Sequence, residues 1–154
     1  MKVKIISGAK NSSKTTTLKS ILEKSNEKYL GYICESDNEK NNYYLRNIYS
    51  NELFHIMQNE FIETKERIGQ YYIIDNSFEK CSTVLFNQIN EIEDQIDFIA
   101  LDEVGLLELN GSGYNQTILK LIDLNYDLIL CVRDVFVERV IEKYKFENVE
   151  IIRV

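Results

Sequence analysis

Several residue types that mark particular protein classes are absent or rare in this chain. Its 154 residues include no Pro, no Trp, six Gly and a single His. The absence of Pro and the low Gly content exclude collagen-like and Pro-rich linker sequence. A lone His55 excludes a multi-His metal site and argues against a Ser–His catalytic triad. No apolar run approaches the ~18 residues that a membrane helix needs, so we expect no membrane association.

Cysteine is also scarce, and its placement is informative. The three cysteines, Cys34, Cys81 and Cys131, are odd in number, scattered and surrounded by apolar residues. Neither a C-x-x-C pair nor a zinc-ribbon spacing is present, which excludes the common cysteine-based metal and redox motifs. The N-terminus also lacks the long apolar segment and small-residue cleavage site of a secretory signal. We therefore expect buried, reduced thiols in a cytoplasmic protein.

Chain length and net charge indicate how many domains to expect and which partners are unfavourable. A chain of 154 residues with 44% hydrophobic and 28% charged residues predicts one globular domain over residues 1–154. The net charge of −7 argues against a nucleic-acid partner. Residues 1–30 hold seven Lys and two Glu, a net charge of +5, which leaves −12 for the remainder. This basic N-terminal end predicts either an anion site or two solvated helix faces.

Strand-like and helix-like patterns alternate at both ends of the chain. The apolar spacing predicts strands at Lys2–Ser7, Phe98–Leu101, Leu128–Val132 and Val149–Val154, and helices at Lys14–Glu27, Ser77–Glu93, Asn115–Leu124 and Val135–Tyr144. The later strands are apolar without alternation, as is typical of parallel strands that are buried on both faces. Alternating strands and helices predict a three-layer α/β fold with a mainly parallel central sheet.

Residues 29–74 have a different character. They are rich in Tyr and Ile, and polar turns such as Asp37–Asn42 separate their apolar segments. The predicted strands there are Tyr29–Cys34, Tyr43–Ser50, Leu53–Met57 and Gln70–Ile74. This spacing predicts an antiparallel hairpin addition to the parallel sheet.

The first loop has the spacing of a phosphate-binding P-loop. The segment Gly8–Thr15 reads GAKNSSKT and matches G-x-x-x-x-G-K-[ST] except at Ser13. Backbone N–H groups of such a loop, together with the dipole of the following helix, hold phosphate oxygens. We expect Lys14 to reach the β- and γ-phosphates and Thr15 to bind Mg²⁺ through its hydroxyl. The predicted nucleotide-binding residues are Gly8, Ala9, Lys10, Asn11, Ser12, Ser13, Lys14, Thr15 and Thr16.

Ser13 stands where the motif has its second glycine. If this position requires a positive φ, the Cβ of Ser13 costs ~1 kcal/mol. The alternative interpretation of the segment is a Ser/Lys-rich turn that caps a helix. Its position between the first strand and the first helix favours phosphate binding.

A second candidate segment is Ile96–Leu109, which reads IDFIALDEVGLLEL. An apolar strand that ends in Asp102 supplies the carboxylate that Mg²⁺ needs in a P-loop protein. Glu103 follows directly and can orient, or accept a proton from, a water in line with the γ-phosphate. That chemistry favours hydrolysis over transfer to a hydroxyl acceptor. The alternative is a strand that simply ends in two solvated acids.

Three further features are assigned less directly. Arg133 follows the strand Leu128–Val132, and the carboxyl ends of parallel strands share one edge of a sheet, so it is expected near Gly8 and Asp102. Arg133 is predicted to contact phosphate charge in the transition state or to pair with a neighbouring acid such as Asp134. Glu108 could support the Mg²⁺ site or be exposed in a turn. The run from Gly111 to Gly113 lacks the third glycine of a dinucleotide fingerprint and is predicted to be a loop.

The stretch LDEVGLLELNGSGY resembles the extended Walker B region of the small nucleoside-triphosphatase family, also called cancer-related nucleoside triphosphatase. The family string D-E-[IV]-G-x-[LM]-E-L is matched by Asp102, Glu103, Val104, Gly105, Leu107, Glu108 and Leu109. Arg67–Lys80 is similar to the family's strand before its middle helix, and CVRDVFVERVIEKY to a late strand and helix of bacterial members. The resemblance covers most of the chain and is weakest from about Ser36 to Thr64.

This resemblance implies a RecA-like P-loop fold and Mg²⁺-dependent hydrolysis of nucleoside triphosphates, such as ATP or GTP, with little base selectivity. It assigns phosphate and Mg²⁺ contacts to Gly8, Lys14 and Thr15, and the acidic pair to Asp102 and Glu103. An alternative from another class is a nucleotide-binding switch or accessory protein with negligible turnover. A P-loop kinase is the third possibility, disfavoured because Glu103 suits water activation and no Arg-rich lid segment is evident.

Overall fold

The structure is a computed structural model that describes residues 1–92 and 95–154. Within those residues, nine strands form one sheet with helices on both faces. The strands are β1 (Val3–Gly8), β2 (Tyr29–Ser36), β3 (Asn42–Asn47), β4 (Leu53–Gln58), β5 (Arg67–Ile68), β6 (Tyr71–Ile73), β7 (Phe98–Val104), β8 (Leu128–Arg133) and β9 (Val149–Arg153). The helices are α1 (Lys14–Lys24), α2 (Ser77–Glu91), α3 (Leu106–Leu109), α4 (Asn115–Asp123) and α5 (Val137–Tyr144).

The sheet is parallel at one end and antiparallel at the other. The strand order is β5-β6-β4-β3-β2-β7-β8-β1-β9. Strands β2, β7, β8, β1 and β9 pair in parallel, whereas β3, β4, β5 and β6 pair antiparallel. The predicted α/β fold with a mainly parallel sheet and an antiparallel addition is confirmed. Since β8 lies between β1 and β7, the carboxyl ends of these three strands meet at one edge.

Two apolar cores flank the sheet. On one face, α1 buries Leu18 against Ile6, Ala100 and Ile129. On the other face, α2, α4 and α5 pack on a larger core that includes Leu85, which is fully buried. Each such aliphatic side chain contributes roughly 1.5–3 kcal/mol by leaving water. The three layers hold the strand ends, and hence the candidate site, in fixed positions.

Local hydrogen bonds end several elements earlier than their apolar patterns predict. Helix α1 stops at Lys24 rather than Glu27 because Ser25 is extended, with ψ 145°, and its Oγ accepts the Glu27 N–H at 3.0 Å. Strand β3 stops at Asn47, whose side-chain oxygen accepts the N–H groups of two following residues and so forms a turn. Helix α2 ends at Glu91, and the predicted end at Glu93 lies outside the described residues.

Other differences between the predicted and the observed elements occur where an element is too short, or ends too irregularly, for its hydrophobic pattern to define it. The predicted strand Gln70–Ile74 contains β6, and β6 pairs with the unpredicted strand β5 across a turn at Gly69 with φ +56°. The strand predicted at Phe98–Leu101, with Asp102 at its end, continues to Val104. The short helix α3 was not predicted. Helix α5 begins at Val137, after a 3₁₀ turn.

The predicted burial of the three cysteines is confirmed, and His55 lies in a strand that was predicted. All three cysteines are buried free thiols. His55 lies in β4, where its ring stacks on Tyr44 and its Nε2 is 3.0 Å from Asn42 Oδ1. Among the described residues, no helix is both long and apolar enough to span a bilayer.

Candidate functional site

The loop between β1 and α1 folds back closely on the strand that precedes it. A Cβ on Gly8 would lie 2.5 Å from Ser12 Oγ and 2.9 Å from Val154 Cγ2, so only glycine fits there without rearrangement. The Ser12 N–H donates to the Ala9 carbonyl at 3.1 Å, and Asn11 has φ +59°. Ala9, Lys10 and Thr16 are exposed around this turn. The loop is therefore open to solvent at the N-terminal end of α1.

Ser13 fits its position without backbone strain. It precedes α1 with φ −83° and ψ 31°, so its φ is negative, as it is for most residues with a Cβ. Its carbonyl accepts the Thr17 N–H at 2.8 Å and so begins the helix. The cost expected for a positive φ at this position does not arise.

Lys14 is buried, with 4% of its surface exposed, and its ammonium faces the loop. Its Nζ donates to the Ala9 carbonyl at 2.7 Å, to Ser12 Oγ at 3.2 Å and to the Gly8 carbonyl at 3.4 Å. These neutral oxygens keep the cation in the concave side of the loop. Phosphate oxygens would be stronger partners because their negative charge attracts the ammonium more strongly than a neutral oxygen does.

Asp102 joins β7 to the phosphate loop. Its carboxylate is fully buried, and Oδ2 accepts hydrogen bonds from Thr15 Oγ1 at 2.8 Å and from the Cys34 N–H at 3.0 Å. Its Oδ1 accepts the Glu103 N–H at 3.0 Å. Burial raises the pKa of Asp102, and these hydrogen bonds oppose that shift. The structure thus places the predicted metal-ligating pair, Thr15 and Asp102, in direct contact.

The donor atoms of this pair suit Mg²⁺. A hydroxyl and a carboxylate are hard oxygen ligands, and Mg²⁺ in proteins is usually bound through one or two carboxylates together with substrate phosphates. In residues 1–92 and 95–154, no three His, Cys, Asp or Glu side chains are grouped so that they could hold a metal by themselves. The residues therefore fit a Mg²⁺ site that phosphate oxygens of a ligand would complete.

Glu103 is displaced outward by an irregularity in β7. The pairing of β7 with β8 shifts register between Leu101 and Val104, and Glu103 has φ +59°, a strained value for a residue with a Cβ. Its side chain reaches solvent at the edge of the sheet. Desolvation by the surrounding protein raises the pKa of Glu103, Asp102 adds to the shift, and Lys14 and Arg133 oppose it. The charges of a buried acid and of two cations therefore act on this carboxylate.

Arg133 ends β8 beside the loop. It pairs in register with Gly8, and its guanidinium lies 5.6 Å from the centre of the Phe136 ring. Asp134 instead accepts the Val135 N–H, and the structure records no salt bridge between Arg133 and Asp134. The charge of Arg133 opposes the rise in the pKa of Glu103, so it acts on that carboxylate from the end of the neighbouring strand. Its transition-state role stays a prediction.

Glu108 is buried, and its carboxylate binds nearby backbone N–H groups. It is 1% exposed, and its two oxygens accept the backbone N–H groups of Gly105 at 2.7 Å and Tyr114 at 2.8 Å. Any side chain on Gly113, where φ is +58°, would collide with this carboxylate. Burial raises the pKa of Glu108 to about 7. Glu108 therefore fixes the loop that follows the acidic pair, and of the two alternatives for this residue the exposed turn position is wrong.

Two contacts at the site have no signal in the sequence. One is the Cys34 N–H that bonds Asp102, because a backbone group carries no residue signature. The other is Lys40, whose Nζ donates to Asn11 Oδ1 at 3.1 Å from the turn between β2 and β3. That turn is recognisable from its polar residues, but its position over the phosphate loop depends on the sheet order.

Comparisons with known proteins agree with this arrangement. A match to the NTPase family spans residues 4–154. The chain is similar to the crystal structure of THEP1 from the hyperthermophile Aquifex aeolicus, with 18% identity, a TM-score of 0.73 and coverage of 98% of this chain and 88% of that chain. It is also similar to the solution structure of a human cancer-related nucleoside triphosphatase, with 17% identity, a TM-score of 0.72 and coverage of 100% and 89%. A search of curated proteins gives no match.

Because these identities are low, the likeness to the two solved structures shows the fold alone. The family match also shows family membership, because it spans nearly the whole chain. It agrees with the family resemblance of the segment from Leu101 to Tyr114. The chain therefore belongs to the NTPase family of P-loop proteins.

Proposed function

We propose that this protein hydrolyses nucleoside 5′-triphosphates to diphosphates and inorganic phosphate, with Mg²⁺ and with little selectivity for the base. The observation that carries the proposal is the 2.8 Å hydrogen bond between Thr15 and Asp102. It joins the phosphate loop to the strand that carries the acidic pair, and this supports a role for Glu103 beside the terminal phosphate of a bound nucleotide. Family membership supports the reaction class.

Each residue of the site has a role that follows from its position. Lys14 would exchange its loop oxygens for β- and γ-phosphate oxygens. Thr15 and Asp102 would hold Mg²⁺, which neutralises charge on the phosphates when bound. Glu103, with its raised pKa, would orient the attacking water and accept its proton. Arg133 would stabilise charge on the phosphoryl group during transfer.

The direct test is phosphate release from ATP and GTP, with and without Mg²⁺. We expect Mg²⁺-dependent release by the wild type and a loss of about 10²-fold or more in Glu103→Gln, as for a general base. Binding of Mg²⁺–nucleotide should survive this change because Gln keeps the shape of Glu. Equal losses of binding and turnover would instead make Glu103 a structural residue.

Lys14→Ala is the companion variant. We expect it to weaken triphosphate binding by about 100-fold or more, since it removes two or more charge-assisted hydrogen bonds. Unchanged affinity would contradict the assignment of the phosphate loop.

A nucleotide-binding switch is the second candidate. It is favoured by the three loop oxygens that already satisfy the Lys14 ammonium, because a nucleotide must displace them. Nucleotide binding by the wild type without phosphate release would select this function. Phosphoryl transfer that requires a hydroxyl acceptor would select a kinase.

A further inference from the structure

We propose that Lys40 is a phosphate-contacting residue that makes the site select triphosphates over diphosphates. Its ammonium would move from the Asn11 amide oxygen to the terminal phosphate of the bound nucleotide. This inference rests on the proposed function, because it assumes a triphosphate in the loop of residues 8–15. It adds a residue of the antiparallel addition to a site otherwise built from the parallel strands.

The turn that carries Lys40 is held in place at several points. Lys40 has φ +57°, and its N–H donates to the Asp37 carbonyl at 3.1 Å. Asp37 also accepts the Asn41 N–H at 2.7 Å. The Lys40 carbonyl accepts the Tyr71 hydroxyl at 2.8 Å, which ties the turn to β6. The backbone of Lys40 is therefore positioned before any ligand binds, while its side chain stays exposed.

The side chain of Lys40 already reaches the loop. Its Nζ lies 3.1 Å from Asn11 Oδ1, a contact between residues 29 apart in sequence. Asn11 occupies the turn of the loop with φ +59°, close to the oxygens that hold Lys14. The present partner is a neutral amide, and no salt bridge of Lys40 is recorded among the described residues. A phosphate oxygen is a stronger acceptor for an ammonium than an amide oxygen is.

The sheet order indicates which phosphate Lys40 would meet. Strand β2, which leads into the turn, lies beside β7, the strand of Asp102 and Glu103. Strand β9 lies on the far side of β1. The turn thus approaches the loop from the side of the acidic pair, where the proposed attack occurs. Burial is the main cause of the raised pKa of Tyr43, the second residue of β3, and the charge of Glu103 adds a small contribution that agrees with this direction of approach.

A cation at this position would favour the triphosphate for a simple reason. A diphosphate in the same loop lacks the terminal group, so it gains little from Lys40. If negative charge on the transferring oxygens grows during attack, the same contact also raises kcat, as cationic side chains do in other P-loop enzymes.

Lys40→Met tests the proposal because it removes the charge and keeps both the chain length and a Cβ at the strained φ. Affinities for a non-hydrolysable ATP analogue and for ADP are measured with Mg²⁺, alongside kcat and KM for ATP. We expect the analogue to bind about tenfold more weakly or worse, the loss of one charge-assisted hydrogen bond, with ADP affinity almost unchanged. Lys40→Arg should restore most of the preference.

Lys24→Met is the matched control, because it removes the same charge from an exposed residue at the far end of α1. Equal changes for the analogue and ADP in Lys40→Met, or no change in either, would overturn the proposal. Wild type that binds the analogue without hydrolysing ATP would defeat the proposed hydrolysis but leave the affinity ratio as a valid test of Lys40. Wild type that binds neither nucleotide would overturn both.

Discussion

The Thr15 hydroxyl donates a 2.8 Å hydrogen bond to Asp102 across 87 residues of sequence. Thr15 lies in the first turn of α1, and Asp102 lies in β7, two strands away from the strand that precedes the loop. This contact brings together the two oxygen donors that fit a Mg²⁺–nucleotide complex. Most of the chemistry proposed for the site depends on it.

Replacing the hydroxyl should separate metal binding from nucleotide binding. We expect Thr15→Val to weaken the Mg²⁺-dependent part of ATP affinity by about tenfold or more, because an oxygen ligand is replaced by a methyl group. Titration calorimetry at several Mg²⁺ concentrations measures this effect. Thr17→Val is the matched control on the same helix. A similar Mg²⁺ dependence in Thr15→Val and wild type would show that Thr15 is not a ligand.

Restoring the motif glycine should not improve the site. Since Ser13 has φ −83°, a glycine there relieves no strain and adds freedom to the unfolded chain. We expect Ser13→Gly to lower the free energy of unfolding by a few tenths to about 1 kcal/mol and to leave nucleotide affinity nearly unchanged. Denaturant unfolding and nucleotide titration check both parts. A clear gain in affinity or rate would show that Ser13 weakens the loop.

The contact between β2 and β7 depends on a glycine. Gly31 has φ +124°, and a Cβ there would collide with the backbone carbonyl of Ala100. We expect Gly31→Ala to lower the free energy of unfolding by about 3 kcal/mol or more, because overpacking adds to backbone strain. The control is Gly69→Ala, where φ is +56° but the space is open, and about 1 kcal/mol is expected. Equal losses in the two variants would show that the collision is relieved elsewhere.

Glu108 should make stability depend on pH near neutrality. Its pKa is raised by burial to about 7 from an ordinary 4.5, so the folded state binds the proton more tightly than the unfolded state. Stability from this group is therefore full below pH 4.5 and is lost as the pH rises toward 7, by up to about 3 kcal/mol. Carbon-13 NMR of the glutamate carboxyls should show one group titrating near pH 7.

Glu108→Gln identifies that resonance. At low pH both side chains are neutral, but the carboxyl group of Glu108 has two oxygens for two backbone N–H groups, whereas Gln has one oxygen and an NH₂ that cannot accept. One N–H is therefore left without a partner, and we expect a loss of about 1–3 kcal/mol. The difference between variant and wild type should shrink as the pH rises to 8. A neutral-range titration that persists in Glu108→Gln would belong to another glutamate.

The elements that local pattern specifies well are those whose side chains repeat with a clear period. Apolar runs at β1, β7 and β8 are long enough to identify buried parallel strands. The spacing of Gly8, Lys14 and Thr15 indicates a phosphate loop because all three residues lie in one short segment. Element ends are less predictable, because single side chains such as Ser25 and Asn47 end α1 and β3 by hydrogen bonding to nearby backbone. Helix α3 has only four residues, too few to show a period.

The sequence alone determined the class of fold, the phosphate loop and the acidic pair, because each lies in a contiguous segment with its own spacing. The tertiary structure decided which segments meet. Strand order placed β8 between β1 and β7, and it brought Asp102 to Thr15 and the turn of Lys40 to Asn11. It also decided that Glu108 is buried and that Ser13 needs no positive φ. Burial and backbone conformation at a single residue depend on packing between distant segments, which local sequence does not encode.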